Sequence, residues 1–213
     1  MTSVPNTAVG QGYFRNTRDD VVALLPRPVG RTLDVGCGAG ALAAGLRAAG
    51  ATELHGVEFV TEQAEAARTR FDVVHAGAIE TVLPDLDGPY ETILCLDLLE
   101  HLTDPYAVLA ALRGLACSGG HLQLSVPNAR HFSLVRDLVL RGTFGYTEWG
   151  HRDATHLRWF TKRDLVAAVE AAGWRTIGVS HPAMGRGAAL ERVTRGRSTE
   201  FLVGQWYLTA VAA

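Results

Sequence analysis

An excess of charge of one sign is missing from this sequence of 213 residues. Twenty Lys and Arg residues face 22 Asp and Glu residues, so the formal net charge is only −2 at pH 7. Proteins that bind nucleic acids or anionic membrane surfaces usually carry a clear positive excess. The balance therefore argues against both kinds of partner and favours a small molecule or a neutral polymer.

Cysteines and long apolar runs are also scarce. The three cysteines, Cys37, Cys95 and Cys117, are odd in number and lack the spacing of a metal site. They indicate free thiols in a reducing compartment. No apolar run approaches the roughly 18 residues of a membrane-spanning helix, and the N-terminal residues have neither a basic nor an apolar leader region. We expect a cytoplasmic protein without a membrane span.

What the sequence does contain is an alternating pattern. Hydrophobic residues make up 47% of the chain, enough for one well-buried domain. Short β-branched runs alternate with longer Ala, Leu and Arg segments, which is typical of βαβ units. We expect an α/β domain spanning 1–213, with a Rossmann-like, doubly wound, seven-stranded sheet whose last strand is antiparallel. The predicted strands are 31–35, 54–58, 72–76, 91–96, 120–126, 174–180 and 200–211; the predicted helices are 17–25, 41–49, 61–70, 104–116 and 161–172.

The stretch RTLDVGCGAG combines a predicted strand with a glycine-rich turn that holds Gly36, Gly38 and Gly40. Such turns let the backbone approach a ligand at the start of a helix. The glycine spacing alone also permits a dinucleotide such as NAD. Asp34 decides between the two ligands, because a carboxylate beside the turn repels a pyrophosphate and attracts an ammonium group. S-Adenosylmethionine is the ligand that fits, and Glu58, at the end of the next strand, can accept its ribose hydroxyls.

A second group of polar residues follows the fourth predicted strand, in LCLDLLEHLTDP. If the backbone turns helical at Asp97, then Glu100 and His101 lie on the same helical face as Asp97. Two carboxylates and an imidazole in this arrangement can bind a divalent ion such as Mg²⁺, and zinc or manganese is also compatible. The alternative is structural: Asp97 caps the helix, Glu100 reaches back to it and His101 is packed.

Several of these motifs resemble class I S-adenosylmethionine-dependent methyltransferases. LDVGCGAG, GVEF, AGAIETVLP, LCLDLLEHLTDP and GGHLQLSVPN follow one another in the order and spacing of that family, over about residues 13–180. The resemblance implies that the three glycines wrap the methionine part, with Asp34 on the ammonium and Glu58 on the ribose. Family members often have an acidic residue near the adenine, where this chain has Gly77 and Ala78. The backbone amides near Ala78 and Ile79 are therefore expected to contact the adenine instead. Further cofactor contacts are expected from Leu96 and from Tyr13 in an N-terminal flap and helix (1–28).

The metal hypothesis gains from a second resemblance, to the ubiquinone-pathway O-methyltransferases, some of which hold a divalent ion with acidic and histidine residues of this motif. Such an ion would clamp substrate oxygens and lower the pKa of a hydroxyl. It would therefore assist methyl transfer to oxygen.

The segment 127–160 is expected to be a helical, aromatic-rich lid over the methyl acceptor, because long connections in compact domains are usually functional. It offers His151 and His156 as general bases for a hydroxyl acceptor, with Asp153 near enough to orient one of them. The lid resembles that of bacterial methyltransferases associated with polysaccharide synthesis, in Asp153, Thr155, His156, Arg158, Phe160 and Thr161. Because His156 belongs to that shared pattern and His151 does not, His151 is the preferred base.

These features predict an O-methyltransferase acting on a sugar hydroxyl of an intracellular oligosaccharide or polysaccharide precursor. Two alternatives remain open. One is a small-molecule N- or O-methyltransferase of secondary metabolism or quinone type, and the other is a non-catalytic regulatory subunit that binds the cofactor. A homodimer is compatible with each of them.

Overall fold

A seven-stranded sheet forms the centre of the protein, whose computed structural model describes residues 18–148, 150–182 and 198–213. The strand order is β3-β2-β1-β4-β5-β7-β6. Only β7 runs antiparallel to its neighbours, β5 and β6. The predicted doubly wound sheet with an antiparallel last strand is therefore confirmed. The strands are β1 (Gly30–Val35), β2 (Ala51–Glu58), β3 (Val73–Ala76), β4 (Tyr90–Leu96), β5 (Ala116–Pro127), β6 (Trp174–Ser180) and β7 (Gln205–Ala212).

Helices cover both faces of the sheet. They are α1 (Asp19–Val22), α2 (Ala43–Ala48), α3 (Thr61–Ala67), α4 (Ile79–Val82), α5 (Pro105–Leu115), α6 (Phe132–Arg141), α7 (Lys162–Ala171) and α8 (Thr199–Leu202). One hydrophobic cluster joins α4, α5 and α7 to the sheet, and a second joins α1, α2 and α3 to it. Apolar residues of the strands point alternately into these two layers, as the pleat of a strand requires.

The last strand begins later than the predicted range 200–211. Residues 199–202 form α8 instead, and β7 starts at Gln205. Asn128, a buried residue after β5, stabilises this turn, because its Nδ2 donates to the carbonyls of Glu200 and Val203, both at 2.8 Å.

The predicted helix at 17–25 is also shorter in the structure. α1 ends at Val22, and the next two residues continue as tighter turns, with the amide of Leu24 donating to the carbonyl of Val21 at 2.9 Å. Pro26 and Pro28 follow and cannot donate to a helix. Thr17 lies outside the described residues.

The segment 127–160 contains a ten-residue helix, α6. The described residues after it, 143–148 and 150–160, are irregular, and we call them the lid loop. α6 ends at Gly142, whose φ of 64° is readily adopted only by glycine. Phe144 packs against Tyr146 and Trp159, with ring centroids 4.9 and 5.3 Å apart. The aromatic residues predicted to form a surface thus pack partly against one another.

The strand order indicates that a ligand binds at the carboxyl ends of the central strands. β1 leads to β2 and β3 on one side, whereas β4 returns to pair with the other side of β1. In open α/β sheets such a reversal leaves a crevice at the carboxyl ends of the two central strands. No helix within the three described ranges is both long and apolar enough to cross a membrane.

Candidate functional site

The glycine turn lies at that crevice and has the backbone geometry that requires glycine. Gly36, Gly38 and Gly40 have φ values of 84°, 53° and 79°, a region that other residues rarely adopt. The amides of Gly36 and Cys37 donate to the carbonyl of Val57 on β2, at 2.7 and 3.1 Å. The turn is therefore fixed to the end of the second strand.

Asp34 is buried within β1, directly before the turn. Only 1% of its surface is exposed, and its Oδ2 has no hydrogen-bond partner in the described part of the chain. Burial, with a smaller contribution from the nearby Glu58, raises the pKa of Asp34 to about 7. A buried acceptor without a partner is costly unless a ligand supplies a donor. The ammonium group of S-adenosylmethionine is such a donor.

Glu58 bridges the glycine turn and the end of β2. Its Oε2 accepts from the amide of Gly38, and its Oε1 accepts from the amide of Val60, each at 2.8 Å. Because a carboxylate oxygen can accept more than one hydrogen bond, both oxygens can still receive a ribose hydroxyl. The sequence pointed to Glu58 as a ribose ligand, and the structure adds that this carboxylate also holds the turn.

The region predicted to contact adenine follows β3. The amide of Gly77 donates to the carbonyl of Glu58 at 2.9 Å, which joins this region to the predicted ribose site. Ala78 precedes α4, and Ile79 is buried at its first position. Leu96 ends β4 and packs partly against the α1, α2 and α3 layer. The predicted contact Tyr13 lies outside the described residues.

The packing of the turn against β2 gives a test of its role in stability. A methyl group on Gly56, which pairs with Asp34, would lie 2.6 Å from Cys37 Sγ and 3.2 Å from the Phe71 ring. We expect Gly56→Ala to lower the free energy of unfolding by about 1–3 kcal/mol through overpacking, measured by denaturant titration. Gly178→Ala on β6, where nothing lies within 4 Å, is the matched control. If Cys37→Ala does not restore most of the loss in the double variant, the clash is not its cause.

Asp97 does not turn helical as expected. Its φ is 52°, and the following 3-10 turn, Leu99–His101, starts after Leu98 without a side-chain cap. The capping alternative for Asp97 is therefore wrong; the nearest side-chain cap belongs to Asp104, which accepts from the amide of Ala107 at the start of α5.

Donors from three other elements surround the Asp97 carboxylate. Arg18 Nη1 lies 2.6 Å from Oδ2, Ser125 Oγ donates to Oδ1 at 2.9 Å, and Gln205 Nε2 also donates to Oδ1. Arg18 and Asp97 are the two non-glycine residues with positive φ in the described ranges, and their ion pair is mostly buried. Arg18, Ser125 and Gln205 were not predicted as site residues. The one sequence signal for them was that Ser125 is a polar residue near the end of the predicted strand 120–126.

Glu100, His101 and His156 come together and form what we call the Glu100 cluster. One ligand atom from each residue lies within 4.8 Å of the other two, and the two imidazole rings are 4.8 Å apart in a T-shaped arrangement. Glu100 is 2% exposed, and neither of its carboxylate oxygens has a partner among the described residues. Burial and the nearby Asp97 raise its pKa well above the usual range. Asp97 itself is held outside this cluster.

A hydrogen bond from the lid loop sets the imidazole tautomer of His101. Thr155 Oγ1 donates to Asp153 at 2.7 Å, so it accepts from His101 Nδ1 at 3.1 Å. The neutral His101 ring then carries its lone pair on Nε2. Burial lowers the pKa of both imidazoles, which favours their neutral forms.

His151 lies beside the cluster but its ring is bonded elsewhere. Its Nε2 donates to the carbonyl of Gly204 at 2.6 Å, and the ring stacks on His131 with centroids 4.5 Å apart. The remaining nitrogen, Nδ1, then carries the lone pair. Burial lowers the pKa of His151 as well. Asp153 reaches His101 through Thr155 rather than contacting His151 or His156 by a direct hydrogen bond.

The cluster and the glycine turn are neighbours. A methyl group built on Gly36 would lie 3.6 Å from Leu98 Cδ1, and Leu98 is two residues before Glu100. A cofactor bound at the turn would thus have buried acidic and imidazole groups on its acceptor side.

Comparison with solved structures supports this reading of the fold. A methyltransferase from Archaeoglobus fulgidus, described as S-adenosylmethionine-dependent, matches with a TM-score of 0.67 and 17% identity over 94% of this chain and 97% of that chain. A second, from Mesorhizobium loti, matches with a TM-score of 0.63 and 15% identity over 90% and 95% of the two chains.

Curated relatives match at higher identity over shorter segments. The ubiquinone biosynthesis O-methyltransferase of Vibrio parahaemolyticus is 33% identical over 105 residues, covering 46% of this chain and 44% of the relative. That of Alkalilimnicola ehrlichii is 30% identical over 151 residues, covering 64% and 60%. The chain thus spans about half the length of these curated relatives. Their names do not support the polysaccharide branch suggested by the lid.

A family model described as a methyltransferase domain matches residues 11–179. This range contains the glycine turn, the Glu100 cluster and the lid loop, so the parts of the site predicted from separate motifs belong to one matched unit. With more than half of its length matched, the chain belongs to this family and is a class I S-adenosylmethionine-dependent methyltransferase domain.

Proposed function

We propose that the protein transfers the methyl group of S-adenosylmethionine to a hydroxyl oxygen on the ring of a quinone precursor or a related phenol. The observation that carries this proposal is the Glu100 cluster beside the glycine turn. A hydroxyl must lose a proton as it attacks the methyl group. The cluster can hold a cation that lowers the pKa of the hydroxyl, and the neutral imidazole of His151 can accept the proton. The names of the curated relatives favour a quinone-type acceptor over the sugar predicted from the lid.

In the proposed reaction the acceptor oxygen attacks the methyl carbon in line with the sulfonium. The new O–C bond forms as the S–C bond breaks, and S-adenosylhomocysteine is released. The acceptor proton passes to His151, whose Nε2 is already committed to Gly204 and whose Nδ1 is therefore the basic nitrogen. Orientation of the acceptor and cofactor contributes the rest of the acceleration.

The cluster also fits the divalent ion that the resemblance implies. Glu100 offers two buried oxygens without partners, and His101 offers one free nitrogen fixed by Thr155. Buried carboxylates usually lie beside donors or cations, so this arrangement is unusual for a purely structural residue. When bound, the ion would polarise the acceptor oxygen and lower the pKa of its hydroxyl.

A sugar hydroxyl remains a second candidate because of the lid loop. Trp159 is 39% exposed and Tyr146 is 60% exposed, and exposed aromatic rings of this kind can stack on sugars. The Asp153, Thr155 and His156 pattern is compatible with either acceptor.

A comparison of acceptors tests the proposed function. The purified protein would be incubated with methyl-labelled cofactor and with catechols, hydroquinones, mono- and oligosaccharides or amines, and products identified by mass spectrometry. We expect ring O-methylation of the phenolic compounds at a rate at least tenfold above that of the sugars, because a phenol with a pKa near 10 loses its proton far more easily than an alcohol. Faster sugar methylation would establish the second candidate. N-methylation alone would contradict both.

A further inference from the structure

We infer that the third protein ligand of the cation site is the lid residue His156, not Asp97, so that a bound cation fastens the lid loop to the turn that follows β4. The inference rests on the proposed function in that it assumes a cation at Glu100 and His101. It goes beyond the proposed function in stating that cation binding is coupled to the lid loop.

Asp97 is unsuited to be a ligand because its oxygens are already used. Oδ2 pairs with Arg18 at 2.6 Å, and Oδ1 accepts from Ser125 and Gln205. A cation bound to this carboxylate would also face the positive charge of the Arg18 guanidinium, which is about as buried as the carboxylate. Ligation through Oδ2 would compete with the Arg18 ion pair, and ligation through Oδ1 would compete with two donors.

His156 has the opposite properties. It is 7% exposed, and it is brought against Glu100 by two backbone hydrogen bonds, in which the amides of Leu157 and Arg158 donate to the Glu100 carbonyl at 2.7 and 3.1 Å. Ligand atoms in the cluster lie within 4.8 Å of one another. Zinc–nitrogen distances of about 2.0–2.1 Å place tetrahedral ligands roughly 3.4 Å apart, so the side chains need to move by only about 1 Å.

The partner of the His101 ring resembles that of a metal-binding histidine. A ligating histidine usually donates its second N–H to a carboxylate, a backbone carbonyl or a water molecule. His101 donates to the Thr155 hydroxyl, which in turn donates to the Asp153 carboxylate. The lid loop thus supplies one proposed ligand, His156, and the partner of the second N–H of His101. Two nitrogens and one carboxylate suit Zn²⁺, Co²⁺ or Mn²⁺ better than Mg²⁺.

The lid loop is tied to the rest of the domain on both sides of His156. His151 bonds to Gly204 before β7, and the carbonyl of Phe160 accepts from the amide of Ala129 after β5 at 3.0 Å. A cation bound at His156 would add a side-chain attachment to the backbone hydrogen bonds that join Leu157 and Arg158 to Glu100. Cation binding should therefore slow local opening of residues 151–160.

Calorimetric titration of chelator-treated protein with Zn²⁺ or Co²⁺ tests the assignment of the ligand. We expect His156→Ala to weaken affinity at least tenfold, and Asp97→Asn and His151→Ala to change it by less than threefold. His151→Ala is the matched control, since it removes an imidazole from the same loop. Circular dichroism and thermal melting without metal check that each variant is folded. Wild-type affinity in folded His156→Ala, or a tenfold loss in Asp97→Asn, overturns the inference.

Glu100→Gln separates this inference from the proposed function. If Glu100→Gln loses cation binding while His156→Ala does not, a cation site exists and only the role of the lid is wrong. If the wild-type protein binds neither cation, both the inference and the cation part of the proposed function fail. Ring O-methylation without any cation would still support the proposed reaction.

Hydrogen exchange provides a readout that does not depend on activity. The amides of Leu157 and Arg158 donate to Glu100, so we expect Zn²⁺ to slow their exchange at least fivefold in the wild-type protein and to leave it unchanged in His156→Ala. Equal slowing in both proteins would contradict the coupling of the cation to the lid loop.

Discussion

Replacing His151 with alanine is expected to lower kcat by about 10²–10⁴-fold while leaving the affinity for S-adenosylhomocysteine within a factor of two. This decrease in kcat is the size expected for the loss of a general base. The affinity should persist because the ring of His151 bonds to Gly204 and stacks on His131, away from the glycine turn. Single-turnover rates and product calorimetry with the purified variant measure the two quantities.

His151 also holds the lid loop, so a structural effect must be separated from base catalysis. Added imidazole should restore part of the activity of His151→Ala if the missing group is a base, and should restore none if only the tether to Gly204 is lost. His131→Ala, which removes the stacked neighbour but no proposed base, is the control and should reduce kcat by less than tenfold. Full activity in both His151→Ala and His156→Ala would exclude a lid base and favour an amine acceptor.

Asp34→Asn is expected to weaken binding of S-adenosylmethionine by about 10- to 100-fold, since a charge-assisted hydrogen bond contributes about 1.5–3 kcal/mol. The same substitution should stabilise the cofactor-free protein at pH 8. Burial raises the pKa of Asp34 from 3.8 to about 7, so the folded state favours the protonated acid. The stability that the protonated acid contributes is present at low pH, and it is lost as the pH rises through the pKa that Asp34 has in the folded state.

The raised pKa of Asp34 determines how the stability of the protein and its affinity for the cofactor change with pH. Three pKa units correspond to at most about 4 kcal/mol of stability lost between about pH 4 and pH 8. Cofactor affinity should change in the opposite direction and increase as pH rises through about 7, because the ammonium group pairs with the charged carboxylate. In Asp34→Asn both profiles should be flatter over this interval. Denaturant titrations and calorimetry from pH 5 to 8.5 measure them.

Position 78 gives a control for the Asp34 result. Ala78→Asp restores the acid that many family members have near the adenine, and we expect it to alter affinity less than Asp34→Asn does. If Asp34→Asn binds the cofactor as tightly as the wild-type protein, then Asp34 does not contact the ammonium group.

The parts of the structure that the sequence predicted well are those set by short-range patterns. The glycine turn after β1 needs only three glycines with positive φ and a strand before them, and both are visible within ten residues. The alternation of strands and helices likewise predicted the seven-stranded sheet, because a sheet covered on both faces requires buried, apolar strands.

The contacts that the sequence could not give join distant segments. Arg18 meets Asp97 across 79 positions, and Gln205 meets Asp97 across 108. His101 meets Thr155 across 54. The helical spacing expected from Asp97 to Glu100 and His101 does not begin at Asp97, because the backbone there adopts a positive φ. Aspartate adopts this conformation more often than most residues do, but nothing else in the sequence marks this position.

The position of β7 has a consequence for the order in which the site forms during synthesis. The strand emerges from the ribosome after the other six strands of the sheet, yet it is inserted between β5 and β6. Gly204 and Gln205, which bind His151 and Asp97, emerge with it. A nascent chain that ends before residue 204 already contains Asp34, the glycine turn and Glu58. Cofactor recognition can therefore precede completion of the acceptor side, which closes only when the final strand enters the sheet.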